Sequence, residues 1–343
     1  MRLASGIRKF FVLLNVAAAF TLLLACYNAY KPIPSLPLVD VIGILVPPLM
    51  IINLLFLVFW IWIKKQFALI SAISLLVGFW CFGSIYEIQF LKPDLSEKDL
   101  SIFSYNVQGF KYWAGKEASG IVSIDILEFI SEQDPDVVCF QEYKPVRPEL
   151  IASYPFRYYT PHGTGRTSQA ILSKYPIANG GSLNFPNSGN NAIYADVAYG
   201  KDTIRIYNVH LQSYWIYSFR SLIKRNAGKD FMKRLQHTAA KHREQAVILE
   251  NHRKSSNHPV VYAGDFNQPP YSPSFRRLSE DMKDSFREEG GGWGTTFKRN
   301  YISARIDFIL ADDQAFEVID HQNFNIRKSD HLPVMARLKY RSN

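Results

Sequence analysis

Cysteine is scarce in this chain. Three occur among 343 residues, Cys26 and Cys81 in apolar stretches and Cys139 in an expected buried strand. No spacing among them marks a zinc site or a disulfide framework, so the fold must stand on its packed core. Charge is nearly missing from the first ninety or so positions. Up to Leu91 there are six basic residues (Arg2, Arg8, Lys9, Lys31, Lys64, Lys65) and two acidic ones (Asp40, Glu87). Internal repeats and low-complexity tracts are missing too, which excludes a solenoid or a linker-rich array. Beyond Leu91 the composition is that of an ordinary soluble domain with 33 basic and 28 acidic residues, within an overall net charge of +9. A mildly basic domain suits polyanionic or membrane-surface partners and requires neither.

The charge-poor part contains three apolar runs, at residues 10–30, 38–63 and 67–91. Each is close to or above the roughly 20 residues that cross about 30 Å of hydrocarbon as a helix. None has a polar face, which disfavours buried soluble helices. Pro47 and Pro48 predict a kink in the second run, tolerable where neighbours satisfy the freed carbonyls. Trp60, Trp62, Trp80 and Tyr86 sit near run ends, as interfacial aromatics do. The basic start of the first run also fits a cleaved signal peptide, but the run is long and two more follow it. Arg2, Arg8 and Lys9 precede the first run, Lys64 and Lys65 join the second to the third, and only Lys31 lies in the other short loop. The positive-inside rule then places the amino terminus inside and everything after the third run on the non-cytoplasmic side. The expected organisation is a three-helix transmembrane anchor over 1–91, a linker over 92–99 and a separate domain over 100–343.

From residue 100 onward short β-rich runs alternate with polar loops. Strands are expected at 101–107, 136–140, 169–172, 192–198, 203–209, 259–263, 306–310 and 334–338, with helices at 120–133 and about 229–251. In the second helix Phe231, Leu235, Ala239, Ala246 and Leu249 share a face. Polar residues suited to metal and acid–base chemistry recur where these strands end. Asn106 follows Ile102-Phe103-Ser104-Tyr105, and Glu142 follows Val137-Val138-Cys139-Phe140. Asn208 and His210 close a third strand, and Asp265 and Asn267 follow Val260-Val261-Tyr262-Ala263-Gly264. Asp307 lies in Arg305-Ile306-Asp307-Phe308, and Asp330-His331 precede the last strand. Strand ends are rigid, so side chains there can converge with the accuracy that catalysis demands. Each alone has a plain reading: a solvated strand end, a loop cap, or a turn built on Asp and Asn.

The ordered set is more specific than its members. Ser104-Tyr105-Asn106-Val107-Gln108, Gln141-Glu142, Ser173-Lys174-Tyr175-Pro176-Ile177, Asn208-Val209-His210-Leu211, Gly264-Asp265-Phe266-Asn267, Arg305-Ile306-Asp307 and Ser329-Asp330-His331 follow one another. Together they resemble the endonuclease/exonuclease/phosphatase superfamily over about residues 100–339. The resemblance implies a four-layer α-β-β-α sandwich of the DNase type, with the site at the shared edge of two packed sheets and the three spans outside it. It assigns Glu142 to a metal, with Asn106 and Asp330 nearby; hard oxygen donors suit Mg²⁺ or Mn²⁺. His331 is the expected general base, since imidazole is half-protonated near neutral pH. Asp307 resembles the carboxylate that orients it. Asp265 and Asn267 are expected to hold the attacking water and phosphate oxygens, although some schemes for the family give the base role to the Asp265 position. His210 could hydrogen-bond a non-bridging oxygen or protonate the leaving group. Its Asn-x-His pattern is more similar to pancreatic-type deoxyribonucleases, sphingomyelinases and deadenylases than to abasic-site endonucleases.

Substrate contacts are expected from Asn208, Arg305, Tyr214 and Trp215. The last two open a distinctive segment over 213–243, aromatic first and then basic through Arg220, Lys224, Arg225, Lys229, Lys233, Arg234, Lys241 and Arg243. Such a segment could stack bases and track phosphates, insert into a bilayer interface, or pack as a loop beside a solvated helix. The expected function is a membrane-anchored, metal-dependent phosphodiesterase of nucleic acid, of endonuclease or exonuclease type. A sphingomyelinase-like lipid phosphodiesterase is the alternative. An inositol-polyphosphate phosphatase is disfavoured, because Ala304-Arg305-Ile306-Asp307 lacks the tryptophan such enzymes carry there. A non-catalytic membrane-bound binding module would have lost Glu142 or His331, and both are present.

Overall fold

The computed structural model describes residues 5–89, 99–111, 119–161, 165–214, 227–299 and 302–341. They form two compact units. One comprises the described residues of Met1–Ile85, Leu222–Arg243 and Gln268–Arg276; the other comprises those of Tyr86–Ser221, Glu244–Asn267 and Arg277–Asn343.

The first unit carries three helices long and apolar enough to cross a membrane. Helix α1 covers Ser5–Tyr30. The second run begins as a 3-10 helix over Pro37–Leu45 and becomes α2 only at Val46–Ile63. Pro47 and Pro48 therefore fall in the first turn of α2, where the missing N–H groups have no intrahelical acceptor to lose. This replaces the mid-span kink expected from the sequence. Helix α3 covers Ala68–Phe82, stopping well before residue 91 because Gly83 takes up a left-handed φ of 69° that terminates the helix. Apolar side chains pack between the helices (Leu22, Val46, Leu49, Phe82), and polar pairs cross the same seams. Asn15 Nδ2 donates to Ser71 Oγ at 2.6 Å and Ser74 Oγ donates to Asn53 Oδ1 at 3.0 Å. Such bonds hold helices together where apolar burial gives no preference for protein over lipid. In the same unit Arg243 grips Asp40 with two bonds of 2.5 Å and reaches the Ile33 carbonyl at 3.0 Å. Asn28 donates to Asp40 at 2.8 Å, Tyr271 meets Phe82 edge-on at 5.4 Å, and the Arg276 guanidinium lies 3.7 Å from the centre of the Tyr30 ring.

The remaining elements, in chain order, are β1 (Leu100–Asn106), α4 (Ser119–Gln133), β2 (Val137–Gln141), β3 (Phe156–Tyr159), β4 (Ala170–Ser173), β5 (Ile177–Asn184), β6 (Asn191–Tyr199), β7 (Asp202–His210) and α5 (Ala227–Lys254). There follow β8 (Val260–Asp265), α6 (Pro273–Leu278), β9 (Met282–Asp284), α7 (Ser285–Glu289), β10 (Phe297–Arg299), β11 (Ile302–Ala304), β12 (Asp307–Asp312), β13 (Phe316–Asn323) and β14 (Val334–Tyr340). Every expected strand and both expected helices are present, with ends shifted by a few residues.

Two six-stranded sheets result, ordered β13-β14-β1-β2-β4-β3 and β5-β6-β7-β8-β12-β9, beside a small β10-β11 hairpin. Each large sheet has one parallel pair at its centre, β1 with β2 and β7 with β8, flanked by antiparallel neighbours. The sheets pack face to face: Ile102, Val137 and Ile171 from one and Ile193, Ile206, Val261 and Ile309 from the other share one core. The opposite face of the first sheet, with Phe103, Val138, Phe140 and Leu172, is covered by Val122, Ile126 and Ile130 of α4. Burial on both faces explains why these strands read as continuous apolar runs. Gly264 permits the closest approach inside the second sheet. Its φ is 147°, and a Cβ there would meet the Val209 carbonyl oxygen at 2.1 Å.

Candidate active site

The two parallel pairs bring four strand ends to one edge of the sandwich. Asn106 closes β1 beside Gln141, so Glu142 emerges next to it. His210 closes β7 opposite Asp265, which closes β8. Asp307 opens β12 in antiparallel register with Asp265. The sequence-predicted residues meet because apolar runs on neighbouring strands stop at one level.

Hydrogen bonds join the two halves. Asn106 Nδ2 donates to Glu142 Oε1 at 3.4 Å and to Asp265 Oδ2 at 3.1 Å, while Asn106 Oδ1 accepts from the Gln108 N–H. Asn267 donates its N–H to Asp265 Oδ1 at 2.8 Å and its side-chain amide to Asp265 Oδ2 and the Leu211 carbonyl. His331 Nδ1 lies 3.0 and 3.1 Å from the two Asp307 oxygens, which fixes the ring orientation. Its other nitrogen, Nε2, sits 3.6 Å from Asp265 Oδ2, and His210 Nε2 lies 3.8 Å from that same oxygen. Ligand atoms of Asp265, Asp307 and His331 all fall within 4.8 Å of one another.

Burial sets the protonation of this cluster. Burial alone would depress His331, but Asp307 and then Asp265 override it and raise the imidazole to about 10. Burial likewise pushes Asp265 up to about 7, with His331 pulling it back. The pair shares a proton that belongs on the imidazole, since two carboxylates flank that ring. His210 has no such support. Burial, with the His331 charge adding to it, lowers it to about 3, so it is neutral near pH 7.

The donor set fits a divalent cation. Glu142 and Asp265 are carboxylates on either side of the Asn106 carboxamide, and hard oxygen donors of this kind suit Mg²⁺ or Mn²⁺. Asp307 is committed to His331 through both oxygens. Asp330 Oδ2 faces Arg299 Nη1 at 3.3 Å and Gln108 Nε2 at 3.5 Å.

Of the expected substrate contacts, Asn208 and Arg305 are occupied elsewhere. Asn208 is fully buried. Its amide donates to the Phe140 and Ala170 carbonyls at 2.8 and 2.9 Å, and its oxygen accepts from Gln141 and Gln169 at 2.7 and 3.3 Å. It stitches one sheet to the other behind the site. Arg305 forms a bidentate pair with Asp284 at 2.9 and 2.7 Å, its guanidinium carbon 4.7 Å from the ring centres of both Phe286 and Phe308. Tyr214 is half-buried, and Trp215 lies outside the described residues.

Sequence reasoning missed several supports. Thr296 Oγ1 accepts the N–H groups of Ile306 and Asp307, both at 3.0 Å. Phe297 packs edge-on against His331 at 5.0 Å, and Arg299 reaches Asp330 from the same short strand. Ser329 Oγ donates to the Asn106 carbonyl at 2.8 Å. Only Ser329 had a signal, its place beside Asp330-His331; Phe297 and Arg299 come from a three-residue strand with no periodicity to read, and Thr296 from the loop just before it. Backbone strain also gathers here. Gln108, Phe110, Glu142 and Asn267 all have φ between 46° and 56°, a region that costs non-glycine residues of order 1–3 kcal/mol each and collects at functional sites.

Comparison with known proteins gives the same picture. Residues 103–331 match the family described as Endonuclease/Exonuclease/phosphatase, and residues 8–85 match a domain of unknown function. No curated protein matches the chain. Among solved structures, an endonuclease/exonuclease/phosphatase from Beutenbergia cavernae superimposes with a TM-score of 0.51 at 18% identity, covering 71% of this chain and 72% of that one. A humanized D. rerio TDP2 gives 0.51 at 16% identity, covering 71% and 100%. A mannosyl-6-phosphatase from Bacteroides thetaiotaomicron gives 0.50 at 17%, covering 70% and 99%. At such identities the likeness is one of fold.

Proposed function

Because the chain belongs to the endonuclease/exonuclease/phosphatase family, and is therefore a phosphoester hydrolase, we propose that it is a membrane-anchored, divalent-metal-dependent phosphodiesterase acting on nucleic acid. The observation that carries this reading is His331, oriented through Nδ1 by Asp307 and facing Asp265 through Nε2 at the common edge of both sheets. Glu142 and Asn106, with Asp265 beside them, would hold Mg²⁺ or Mn²⁺. When bound, such a cation neutralises charge on the phosphoryl oxygens.

The chain's own groups supply the rest. A protonated His331 donates a hydrogen bond to a non-bridging oxygen as negative charge develops there. Asp265, raised toward neutrality by burial, takes the proton of the attacking water, for which a pKa near the working pH is the best match. Neutral His210 donates a second hydrogen bond, and Asn267 holds Asp265 in place through two bonds. The basic balance beyond Leu91 suits a nucleic-acid polyanion. A phospholipid substrate is the second reading, favoured by the three membrane-length helices. We take residues 1–91 as the anchor and 100–343 as the catalytic domain, facing away from the cytoplasm.

The test is a panel assay of the purified full-length chain with Mg²⁺ or with chelator. The panel holds single- and double-stranded DNA, RNA, sphingomyelin, a phosphoinositide and a mannose phosphate. Metal-dependent cleavage of a nucleic acid that Glu142→Ala abolishes is the expected result. Cleavage of sphingomyelin alone would move the substrate to the second reading. Activity indifferent to chelator, or retained by Glu142→Ala, would overturn the metal-hydrolase mechanism.

A further inference from the structure

Helix α5 changes character along its length. Its residues through Arg243 group with the three membrane-length helices, and the remainder groups with the sandwich. In the first part Leu235 and Ala239 are buried, whereas Lys229, Lys233 and Arg234 are exposed and make no ion pair among the described residues. Met232, beside them, is 41% exposed. At the far end of this part, Arg243 is bonded to Asp40 and to the Ile33 carbonyl, both in the connection between α1 and α2. That connection lies at the same end of the bundle as the last turn of α3, where Tyr30 stacks on Trp80 and Phe82 meets Tyr271.

From these observations we infer that the amino-terminal half of α5 is a docking surface for the anionic phospholipid headgroups of the membrane that α1, α2 and α3 cross. Arg243 pins one end of it to a loop that must leave the hydrocarbon. Lys229 lies about 21 Å along the helix axis from that pin, in the unit that holds the three membrane-length helices. Three unpaired cations around an exposed methionine have the chemistry of an interfacial helix, the thioether entering the acyl boundary and the cations meeting phosphates. Their charge complements an anionic leaflet, whose surface potential reaches about one Debye length. The opposite end of the bundle has Arg8, Lys9, Lys64 and Lys65 at its own boundary, so cations flank the apolar helices on both sides.

The inference rests on the three helices being spans and is independent of the catalytic reading. The test uses the full-length chain with Met232→Cys, on a Cys81→Ala background, labelled with an environment-sensitive fluorophore and reconstituted in nanodiscs. Discs of phosphatidylcholine alone are compared with discs containing roughly a third phosphatidylglycerol. A blue shift is expected only in the anionic discs. It should disappear near 1 M salt, where the Debye length falls to about 3 Å, and in the triple variant Lys229→Glu, Lys233→Glu, Arg234→Glu. Equal emission in both discs, or a shift that survives in the triple variant, overturns the proposal. So does a shift produced by an oligonucleotide in phosphatidylcholine discs and not by phosphatidylglycerol. Failure to float with vesicles of either composition would instead remove the spans themselves.

Discussion

At the scale of single residues, the proposed site centres on one imidazole, His331, whose side-chain partners Asp307 and Asp265 are both acidic. Replacing Asp307 by Asn keeps the shape around His331 but removes the charge that holds its proton. Turnover should fall by roughly 10²–10⁴, the usual contribution of a positioned acid–base group, with thermal stability close to that of the parent. A variant with full turnover would show that the Asp307–His331 contact serves only the fold. His321 makes a different prediction, because it is buried without a carboxylate bonded to its ring. Ser285 bonds its Nδ1 at 2.8 Å. Burial holds its folded pKa near 4, Asp284 opposing and Arg305 reinforcing the shift. The unfolded chain therefore takes up this proton first as pH falls, so stability drops from about pH 6.5 down toward 4. Between pH 7 and pH 5 the loss from this group is roughly 2 kcal/mol. His321→Gln should flatten that part of the melting-temperature profile; an unchanged slope would assign the acid sensitivity to other groups.

Among the elements, the two sheets meet at Asn208 as well as through their apolar faces. Its four bonds tie β2 and β4 to β7 just behind Glu142 and His210. Asn208→Ala removes four buried side-chain bonds, although Gln141 keeps Ser104 and the Cys139 carbonyl and Gln169 keeps the backbone carbonyl of residue 208, and should cost on the order of 2–4 kcal/mol in chemical denaturation. A loss below about 0.5 kcal/mol, typical of an uncoupled surface position, would sink the stitching role. The strand ends that carry Asn106, Glu142 and Asp265 were legible beforehand because each closes an apolar run, and His331 because it stands just before one; a run buried on both faces announces itself. The partners of Asn208 and Arg305 were not legible. A sequence shows a polar residue near a strand end, but not that Asp284 or the Phe140 carbonyl waits beside it. Strands β5 and β13 escaped for other reasons. Gly180 and Gly181 suppress strand propensity in β5, yet a Cβ at either would strike the rings of Tyr158 or Tyr194, so tertiary packing requires what local preference discourages. In β13, Phe316 and Val318 alternate with polar neighbours for only a few residues before a register shift between Val318 and Asp320 breaks the pattern.

For the molecule as a whole, the distribution of charge at the helix ends predicts sidedness. A periplasm- or lumen-active reporter fused after residue 91 should be active, and one active only in the cytoplasm should be silent. The opposite pattern would reverse the orientation and place the phosphoesterase among cytoplasmic substrates. The third apolar run was overextended in the sequence reading because hydropathy does not see backbone conformation, and Gly83 ends the helix. The Arg243–Asp40 pair has a further consequence, in time. Its partners are 203 residues apart, so at about 5–20 residues per second the ribosome makes Asp40 roughly ten to forty seconds before Arg243. Throughout that interval Asp40 lacks the two bonds that Arg243 supplies in the finished chain. Asp40 thus acquires its guanidinium partner only after most of the chain has been made, and a chain that stops before position 243 lacks that pair.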